Sequence, residues 1–316
     1  MSQKHPVIAV TGASGAGTTA VQLAFKEIFF RQKINAAFIQ GDGFLRYNEA
    51  ESEKMISQAL ADGRHLSCYG PDLNDFKKLE DCFKHYAQNG SCDMRFKITE
   101  ENKHLYQEPV GEFTQWQQSP SHSDCLFYEG MHGGVVAQTW TRRKSENTDT
   151  PLKDRRSDRS NSINAAQYVD LLIGVVPAIN LEWIQRIQHD QIIRKQSAEQ
   201  VTANILEQLQ DYIYFIVPQF SITDINFQRM PVVDTSNPFD LQPVPTEKES
   251  IIVISFKEPD KYNLDTYLKR IDGSFMSGRS NLVIPGGQMQ HALDVICAPL
   301  IEALITTEEE IKDTDI

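Results

Sequence analysis

The sequence lacks an excess of positive charge. Lysine and arginine total 31 against 43 aspartates and glutamates, so the formal net charge is −12. Proteins that bind nucleic acids or anionic membrane surfaces usually present a basic face. We therefore expect no nucleic-acid partner and no membrane partner.

Paired cysteines and long apolar segments are also missing. The five cysteines are scattered and none forms a Cys-x2-Cys pair, so neither a disulfide framework nor a zinc site is indicated. Residues 1–6 carry no apolar signal segment, and the apolar stretch at residues 168–179 is too short to span a membrane. These absences predict a cytoplasmic protein with reduced thiols.

A glycine-rich turn follows the first apolar run, residues 7–10, and an amphipathic stretch at about residues 18–31 comes after it. The pattern predicts a strand, a loop and a helix. Its spacing matches Gly-x4-Gly-Lys-Ser/Thr except that Thr18 stands at the lysine position. Such a loop directs main-chain N–H groups at phosphates, and the helix N-terminus adds partial positive charge. The candidate nucleotide-binding residues are Gly12, Ala13, Ser14, Gly15, Ala16, Gly17, Thr18 and Thr19. A tight turn without a ligand is the alternative.

Two carboxylates follow predicted strands. Asp42 comes after the strand predicted at residues 36–40, and Glu129 ends an apolar run beside glycines. In open α/β sheets functional groups collect at the carboxyl ends of strands, so Asp42 is a candidate general base and Glu129 a candidate ligand for Mg²⁺ or its waters. The alternative for Asp42 is a structural role in a turn or as a helix cap. His132 is a candidate for substrate contact or for a structural role in a glycine turn.

Three charged residues recur at four-residue steps in the helix predicted from residue 180. Arg186, Asp190 and Arg194 would share one helix face, either as a solvated charge ladder or as a clamp on transferring phosphate. The polar, mixed-charge residues 137–166 predict an inserted loop, with a basic lid as the functional alternative.

The remaining pattern predicts one domain through residue 305 and an acidic, disordered tail after Thr306. Helices are predicted at residues 49–60, 75–88, 198–214 and 291–305. Strands are predicted at residues 94–98, 169–176, 231–238, 250–256 and 282–287.

Six segments spread over most of the chain have a distinctive sequence: residues 4–19, 127–133, 180–185, 218–221, 225–229 and 233–239. Together these segments resemble the bacterial phosphoribulokinase family, among the P-loop kinases. This family commonly has threonine at the position of Thr18. The resemblance implies an α/β P-loop NTPase fold, with a doubly wound, mostly parallel sheet and helices on both faces. It also implies transfer of the ATP γ-phosphoryl group to the 1-hydroxyl of ribulose 5-phosphate by a Mg²⁺-dependent cytosolic homo-oligomer.

The resemblance also implies roles for single residues. Asp42 would be the base, Glu129 and Thr19 would serve Mg²⁺, and Asp190 would be a second acidic residue of the site. Arg186 stands where the family usually has a catalytic lysine. The implied substrate-binding residues are Arg46, His132 and Arg194.

The acceptor half departs from the family pattern. Leu45 and Thr99 stand where the family has histidines, and Glu49 stands where it has an arginine. His189 replaces an arginine before Asp190. A carboxylate facing a phosphate dianion repels it, which can weaken binding by two or more powers of ten. Two alternatives therefore stay open: a kinase for a less anionic alcohol, and a nucleotide-binding regulatory protein without turnover.

Overall fold

The computed structural model describes residues 5–12, 18–63, 66–138, 162–193, 195–237, 239 and 244–314. The strands and helices in these ranges are β1 (Val7–Gly12), α1 (Thr18–Gln32), β2 (Ala36–Gln40), α2 (Glu49–Ala61), α3 (Phe76–Asn89), β3 (Asp93–Met94), β4 (Gln117–Gln118), β5 (Cys125–Gly130), β6 (Val136–Gln138), β7 (Ser162–Asn164), β8 (Leu171–Pro177), α4 (Ile179–Ile193), α5 (Ala198–Asp211), β9 (Ile225–Pro231), β10 (Ser250–Phe256), α6 (Leu264–Arg270), β11 (Phe275–Met276), β12 (Asn281–Pro285) and α7 (Met289–Thr314).

Eight strands form one mixed sheet in the order β11-β12-β10-β9-β8-β1-β5-β2. The five strands from β9 to β2 are parallel, and β10, β12 and β11 extend the sheet with antiparallel pairing. Strands β1 and β5 lie in the parallel part, and their side chains from Val7 to Val10 and from Cys125 to Tyr128 are buried. Strands covered on both faces read as continuous apolar runs, which explains why the sequence showed no alternation there.

Apolar cores cover both faces of the sheet. Ile8 and Val10 of β1 pack in a core that includes the buried faces of α1 and α7. Val7 and Ala9 of the same strand pack in a second core that includes α3. Successive side chains of a strand point to opposite faces, so one strand supplies both cores. The predicted doubly wound, mostly parallel sheet is confirmed.

Most predicted elements match the structure within a few residues. Strand β2 has the predicted bounds, α2 ends one residue later than predicted, and α3 both begins and ends one residue later than predicted. Asp75 caps α3, because its side chain accepts a hydrogen bond from the Lys78 amide, and Gly90 ends the helix with φ of 70°.

Three expectations are corrected. Of the strand predicted at residues 94–98, only Met94 forms part of a ladder, in the two-residue strand Asp93–Met94, and Lys97 adds an isolated bridge to Phe113. The strand predicted at residues 231–238 instead ends at Pro231, and the Asp234 side chain accepts a hydrogen bond from the Ser236 amide in a turn. The tail after Thr306 does not lose structure at once, because α7 continues to Thr314. Its glutamates are good helix formers.

The helical stretch Gly286–Thr306, which contains most of α7, is long and apolar enough to cross a membrane by length and composition. Its residues Leu293, Ile296 and Ile301 are nevertheless buried in the core shared with α1. This packing favours a core helix. The predicted insertion at residues 137–166 begins and ends with β6 and β7, which pair antiparallel, and residues 139–161 lie outside the described residues.

Candidate active site

A cleft of about 450 Å³ opens at the carboxyl ends of β1, β2 and β5. Gly12 ends β1, Asp42 follows β2, and Glu129 lies near the end of β5. Strand β5 pairs with both neighbours, so that Glu129 lies opposite Val10 on one side and Gln40 on the other. The parallel sheet therefore brings three predicted site residues to one cleft.

Asp42 is exposed within a 3₁₀ turn, Gly41–Phe44, directly after β2. Arg95 fixes this turn, because its Nε donates to the Gly43 carbonyl at 2.8 Å and its Nη2 donates to the Leu45 carbonyl. The guanidinium lies over the Phe113 ring, 3.9 Å from the centroid. Burial lowers the pKa of Arg95, with Asp75 acting in the opposite direction. Sequence reasoning missed this positioning residue because no local motif marks it.

Gly41 and Gly130 bring the ends of β2 and β5 into direct contact. A Cβ on Gly130 would lie 2.6 Å from the Tyr128 hydroxyl and 2.8 Å from the Gly41 Cα. A Cβ on Gly41 would meet the same hydroxyl at 2.6 Å. Neither contact is possible for a real side chain, so both glycines are needed to set the spacing between the Asp42 turn and the Glu129 strand.

Only part of the phosphate loop belongs to the described residues. Gly12 ends β1 and lines the cleft, and α1 begins at Thr18. Ala13, Ser14, Gly15, Ala16 and Gly17 lie outside the described residues, as do the side chains of Thr18 and Thr19. The strand before the loop and the helix after it agree with the prediction, and the contacts of the loop's amides stay a prediction.

The carboxylates of the cleft fit a magnesium ion. Asp42 and Glu129 both line it, and Glu129 is half-buried. Magnesium commonly takes one or two protein carboxylates and completes its octahedron with waters and substrate phosphates. No group of three or more His, Cys, Asp or Glu side chains suited to a metal occurs in the described part of the chain. The ion would thus depend on the nucleotide for part of its coordination.

Gln219 connects the end of β1 with the turn after β5. Its side chain is buried, and its Oε1 lies 2.9 Å from the Thr11 hydroxyl and accepts from the Gly134 amide at 2.9 Å. Its Nε2 donates to the carbonyls of Met131 and Phe215. Gln219 belongs to residues 218–221, one of the segments that carry the family resemblance. Its amide therefore shows what this segment does in the fold, which the sequence did not reveal.

His132 does not line the cleft. Its ring is buried, lies 4.7 Å from the Phe76 ring, and places Nε2 at 3.0 Å from the Tyr69 carbonyl. A carbonyl accepts only, so Nε2 carries the proton. Burial lowers the pKa of His132 to about 4, against the opposing effect of the hydrogen bond with Tyr69. These contacts favour the structural role of His132 over a contact with substrate.

Arg186 and Asp190 lie on α4, beside a small pocket between α4, α5 and Tyr69. The guanidinium of Arg186 donates to the Tyr69 hydroxyl at 2.8 Å and lies 3.9 Å from the Asp190 carboxylate. Neither residue is among those lining the cleft around Asp42. Burial opposes the charged form, yet Tyr69, Cys68 and Asp190 raise the net pKa of Arg186 above its ordinary value.

The other cations of the predicted site have different surroundings. Arg194 lies outside the described residues, immediately after α4 ends at Ile193. Arg46 is half-buried, with its Nε bonded to the Pro71 carbonyl and its Nη1 3.2 Å from the Asp75 carboxylate. It does not line the cleft. Arg46 would therefore contact a substrate in the cleft only if its side chain first left Pro71 and Asp75.

Lys97 lines the cleft, although the sequence did not mark it. Its ammonium lies 3.3 Å from the carboxylate of Glu49, the residue at which the chain departs from the family pattern. Thr99, another departure, lines the same wall. Local sequence could not reveal the contact of Lys97, since the partners are 48 positions apart in the chain.

A mostly parallel sheet with a glycine-rich sequence between its central strand and the next helix, and with carboxylates at or near the carboxyl ends of the next two strands of the sheet, defines a P-loop kinase. The sequence model of the Phosphoribulokinase / Uridine kinase family matches residues 7–236. The chain belongs to this family, whose phosphoribulokinase members are ATP-dependent sugar-phosphate kinases.

Named relatives extend the likeness over nearly the whole chain. The chain is 44% identical to "Probable phosphoribulokinase" of Escherichia coli strain K12, over 96% of this chain and 98% of that protein. It is 43% identical to "Phosphoribulokinase" of Nitrobacter vulgaris, again over 96% of this chain and 98% of that one. The solved phosphoribulokinase from Rhodobacter spheroides superposes with a TM-score of 0.82 at 38% identity, over 98% of this chain and all of that chain.

Proposed function

We propose that the protein is a phosphoribulokinase, which transfers the γ-phosphoryl group of ATP to the 1-hydroxyl of ribulose 5-phosphate. The observation that carries the proposal is the cleft that Gly12, Asp42 and Glu129 share at the carboxyl ends of adjacent strands. The identity of 43–44% to two named relatives over 96% of the chain supports the choice of acceptor.

Asp42 accepts the proton of the acceptor hydroxyl as that oxygen attacks the γ-phosphorus. The new oxygen–phosphorus bond forms while the bond to the β,γ-bridging oxygen breaks, and ADP leaves. Glu129, with Thr19 from α1, would hold Mg²⁺, which neutralises phosphate charge when bound. Arg186 and Asp190 stay candidates for stabilising the transferred group, and Tyr69 positions the guanidinium. Catalysis of this type depends on alignment and charge rather than on a covalent intermediate.

The test measures ADP formation and the phosphorylated product with Mg²⁺ and a panel of acceptors: ribulose 5-phosphate, ribulose, uridine and none. We expect ribulose 1,5-bisphosphate, and we expect Asp42→Asn to lower kcat by about 10² to 10⁴, the usual contribution of a general base. Lys33→Gln, an exposed change in the turn after α1, is the control. Full activity of Asp42→Asn would remove the proposed base, and the absence of product with every acceptor would refute the kinase assignment.

A second candidate function is a kinase of the same fold whose acceptor alcohol is less anionic. The contact between Glu49 and Lys97 favours it, because the carboxylate partly neutralises a cation of the cleft. A product from ribulose or uridine, with no bisphosphate formed, would establish this alternative.

We also propose that the protein is a cytoplasmic homo-oligomer. This proposal rests on the family resemblance. Light scattering of the purified protein at micromolar concentration measures its mass, and the mass of a single chain would contradict the assembly.

A further inference from the structure

The two ends of the cleft receive their cations from different elements. Lys26 comes from α1, the helix that follows the phosphate loop, and therefore belongs to the nucleotide end. The opposite wall is the segment from Lys97 to Leu105. Among the residues of this segment that line the cleft in the described part of the chain, Lys97 and His104 are the basic ones.

The wall that carries Lys97 also faces the turn that carries Asp42. Arg95, two residues earlier in the same extended segment, bonds to the carbonyls of Gly43 and Leu45. Alternate residues of an extended segment share a face, so Lys97 and Arg95 both project toward residues 41–49. An alcohol placed at Asp42 therefore shares the cleft with the Lys97 side chain.

Both the backbone and the side chain of Lys97 are held in place. The Asn102 side chain donates to the Lys97 carbonyl at 3.0 Å and accepts from the Thr99 amide at 2.7 Å, which fixes the backbone. The ammonium meets the Glu49 carboxylate at 3.3 Å, with side-chain exposures of 19% for Lys97 and 52% for Glu49. The cation is thus mostly withdrawn from water, while its carboxylate partner is half in solvent and can be displaced.

We propose that Lys97 binds the anionic group of the acceptor, and that Glu49 competes with that group for the ammonium. The inference rests on the proposed function and names its substrate class: an alcohol carrying a phosphate monoester. An incoming phosphate takes the place of the Glu49 carboxylate at Lys97, and Glu49 turns toward solvent. Glu49 therefore sets how strongly the cleft distinguishes phosphorylated acceptors from neutral ones.

The test is calorimetric titration of ribulose 5-phosphate, and separately of ribulose, into the full-length protein without ATP. Glu49→Gln removes the competing charge and keeps the size of the side chain, so we expect ribulose 5-phosphate to bind about tenfold more tightly. Lys97→Met should weaken its binding about tenfold or more, because a charged contact with the phosphate is lost. Neither change should alter the binding of ribulose by more than about twofold.

The matched control is Glu258→Gln, which removes the carboxylate of an exposed ion pair with Lys261 at 2.9 Å, on residues that do not line the cleft. It should leave both dissociation constants unchanged. In the double variant Glu49→Gln/Lys97→Met, the gain from Glu49→Gln should disappear, since the competition needs the ammonium. Thermal unfolding of each variant checks that the chain is folded.

An unchanged dissociation constant for ribulose 5-phosphate in Glu49→Gln would overturn the proposal, and so would an equal change for ribulose or a lack of binding in every protein of the set. Turnover is measured separately in the unmodified protein. If the binding pattern appears but no acceptor is phosphorylated, the kinase assignment fails and the anion site stands. If product forms but Glu49→Gln does not change the binding of ribulose 5-phosphate, the anion site fails and the kinase assignment stands.

Discussion

Removing the Arg95 side chain should uncouple the Asp42 turn from the wall of the cleft. In Arg95→Met, the carbonyls of Gly43 and Leu45 lose their donors, and the new side chain still packs against Phe113. Each bond from a charged donor contributes about 1.5 to 3 kcal/mol when buried. Because Arg95 is half-buried and water can replace part of each bond, we expect a loss of about 2 to 3 kcal/mol in the free energy of unfolding.

The kinetic effect should be on alignment. A general base displaced by about 1 Å can lower kcat about 10²-fold. The nucleotide end of the cleft does not contact Arg95 through any described bond, so the dissociation constant for ATP should stay within about twofold. Arg95→Lys keeps the charge but loses the planar arrangement of donors, so its kcat should lie between those of the unmodified protein and Arg95→Met.

The assay is steady-state ADP release at saturating ATP and acceptor, together with ATP titration and thermal unfolding. Arg279→Met is the control, because its guanidinium also makes two hydrogen bonds, to Asp260, but on the exposed surface. A fall in stability without a fall in kcat would show that Arg95 only supports the fold. Equal losses in kcat and in ATP affinity would likewise refute the positioning role.

Two further predictions concern buried groups. The folded-state pKa of His132, lowered by burial from 6.5 to about 4, means that the unfolded chain binds a proton first as the pH falls. About 3 kcal/mol of the free energy of unfolding, fully present above pH 6.5, should thus be lost progressively as the pH falls to 4. In urea unfolding at several pH values, the stability of His132→Gln should depend less on pH than that of the unmodified protein. An equally steep loss in the variant would contradict the prediction. Gly130→Ala should cost about 1 to 3 kcal/mol or more and abolish activity through contact with Tyr128 and Gly41, whereas Gly287→Ala, whose Cβ would have 3.8 Å to its nearest neighbour, should be tolerated in both unfolding and turnover assays.

The central sheet was predictable because its signals are local. A strand buried on both faces appears as an apolar run, and a glycine-rich turn at this spacing between strand and helix is typical of a phosphate site. The position of Asp42 and Glu129 followed from the parallel arrangement, since Asp42 comes directly after one strand and Glu129 lies near the end of another. The strand Ile225–Pro231 was misplaced toward residues 231–238, because Val232 and Val233 suggested a strand where the Asp234 turn prevails.

The side-chain contacts around the cleft were not predictable in the same way. Arg95 acts on carbonyls about 50 positions earlier, and Gln219 bonds to Thr11 across 208 positions. Nothing in the local pattern of either residue differs from that of a surface arginine or glutamine. His132 shows the converse, because a histidine beside glycines and a predicted metal ligand suggested a substrate contact, while burial against Phe76 made it structural.

The two halves of the cleft differ in what a substitution can change. The proposed nucleotide end depends on main-chain N–H groups of the glycine-rich loop and on a helix N-terminus, so its chemistry should survive most side-chain replacements that preserve the glycines. The proposed acceptor end depends on side chains of separate segments, such as Lys97, which lines the cleft, and its partner Glu49, and each can change without affecting the sheet. Of the departures from the family pattern, Thr99 lines this end of the cleft and Glu49 contacts Lys97 there. Acceptor choice can therefore change while the fold and phosphoryl transfer are kept, and the charge at Lys97 is the property on which that choice should depend.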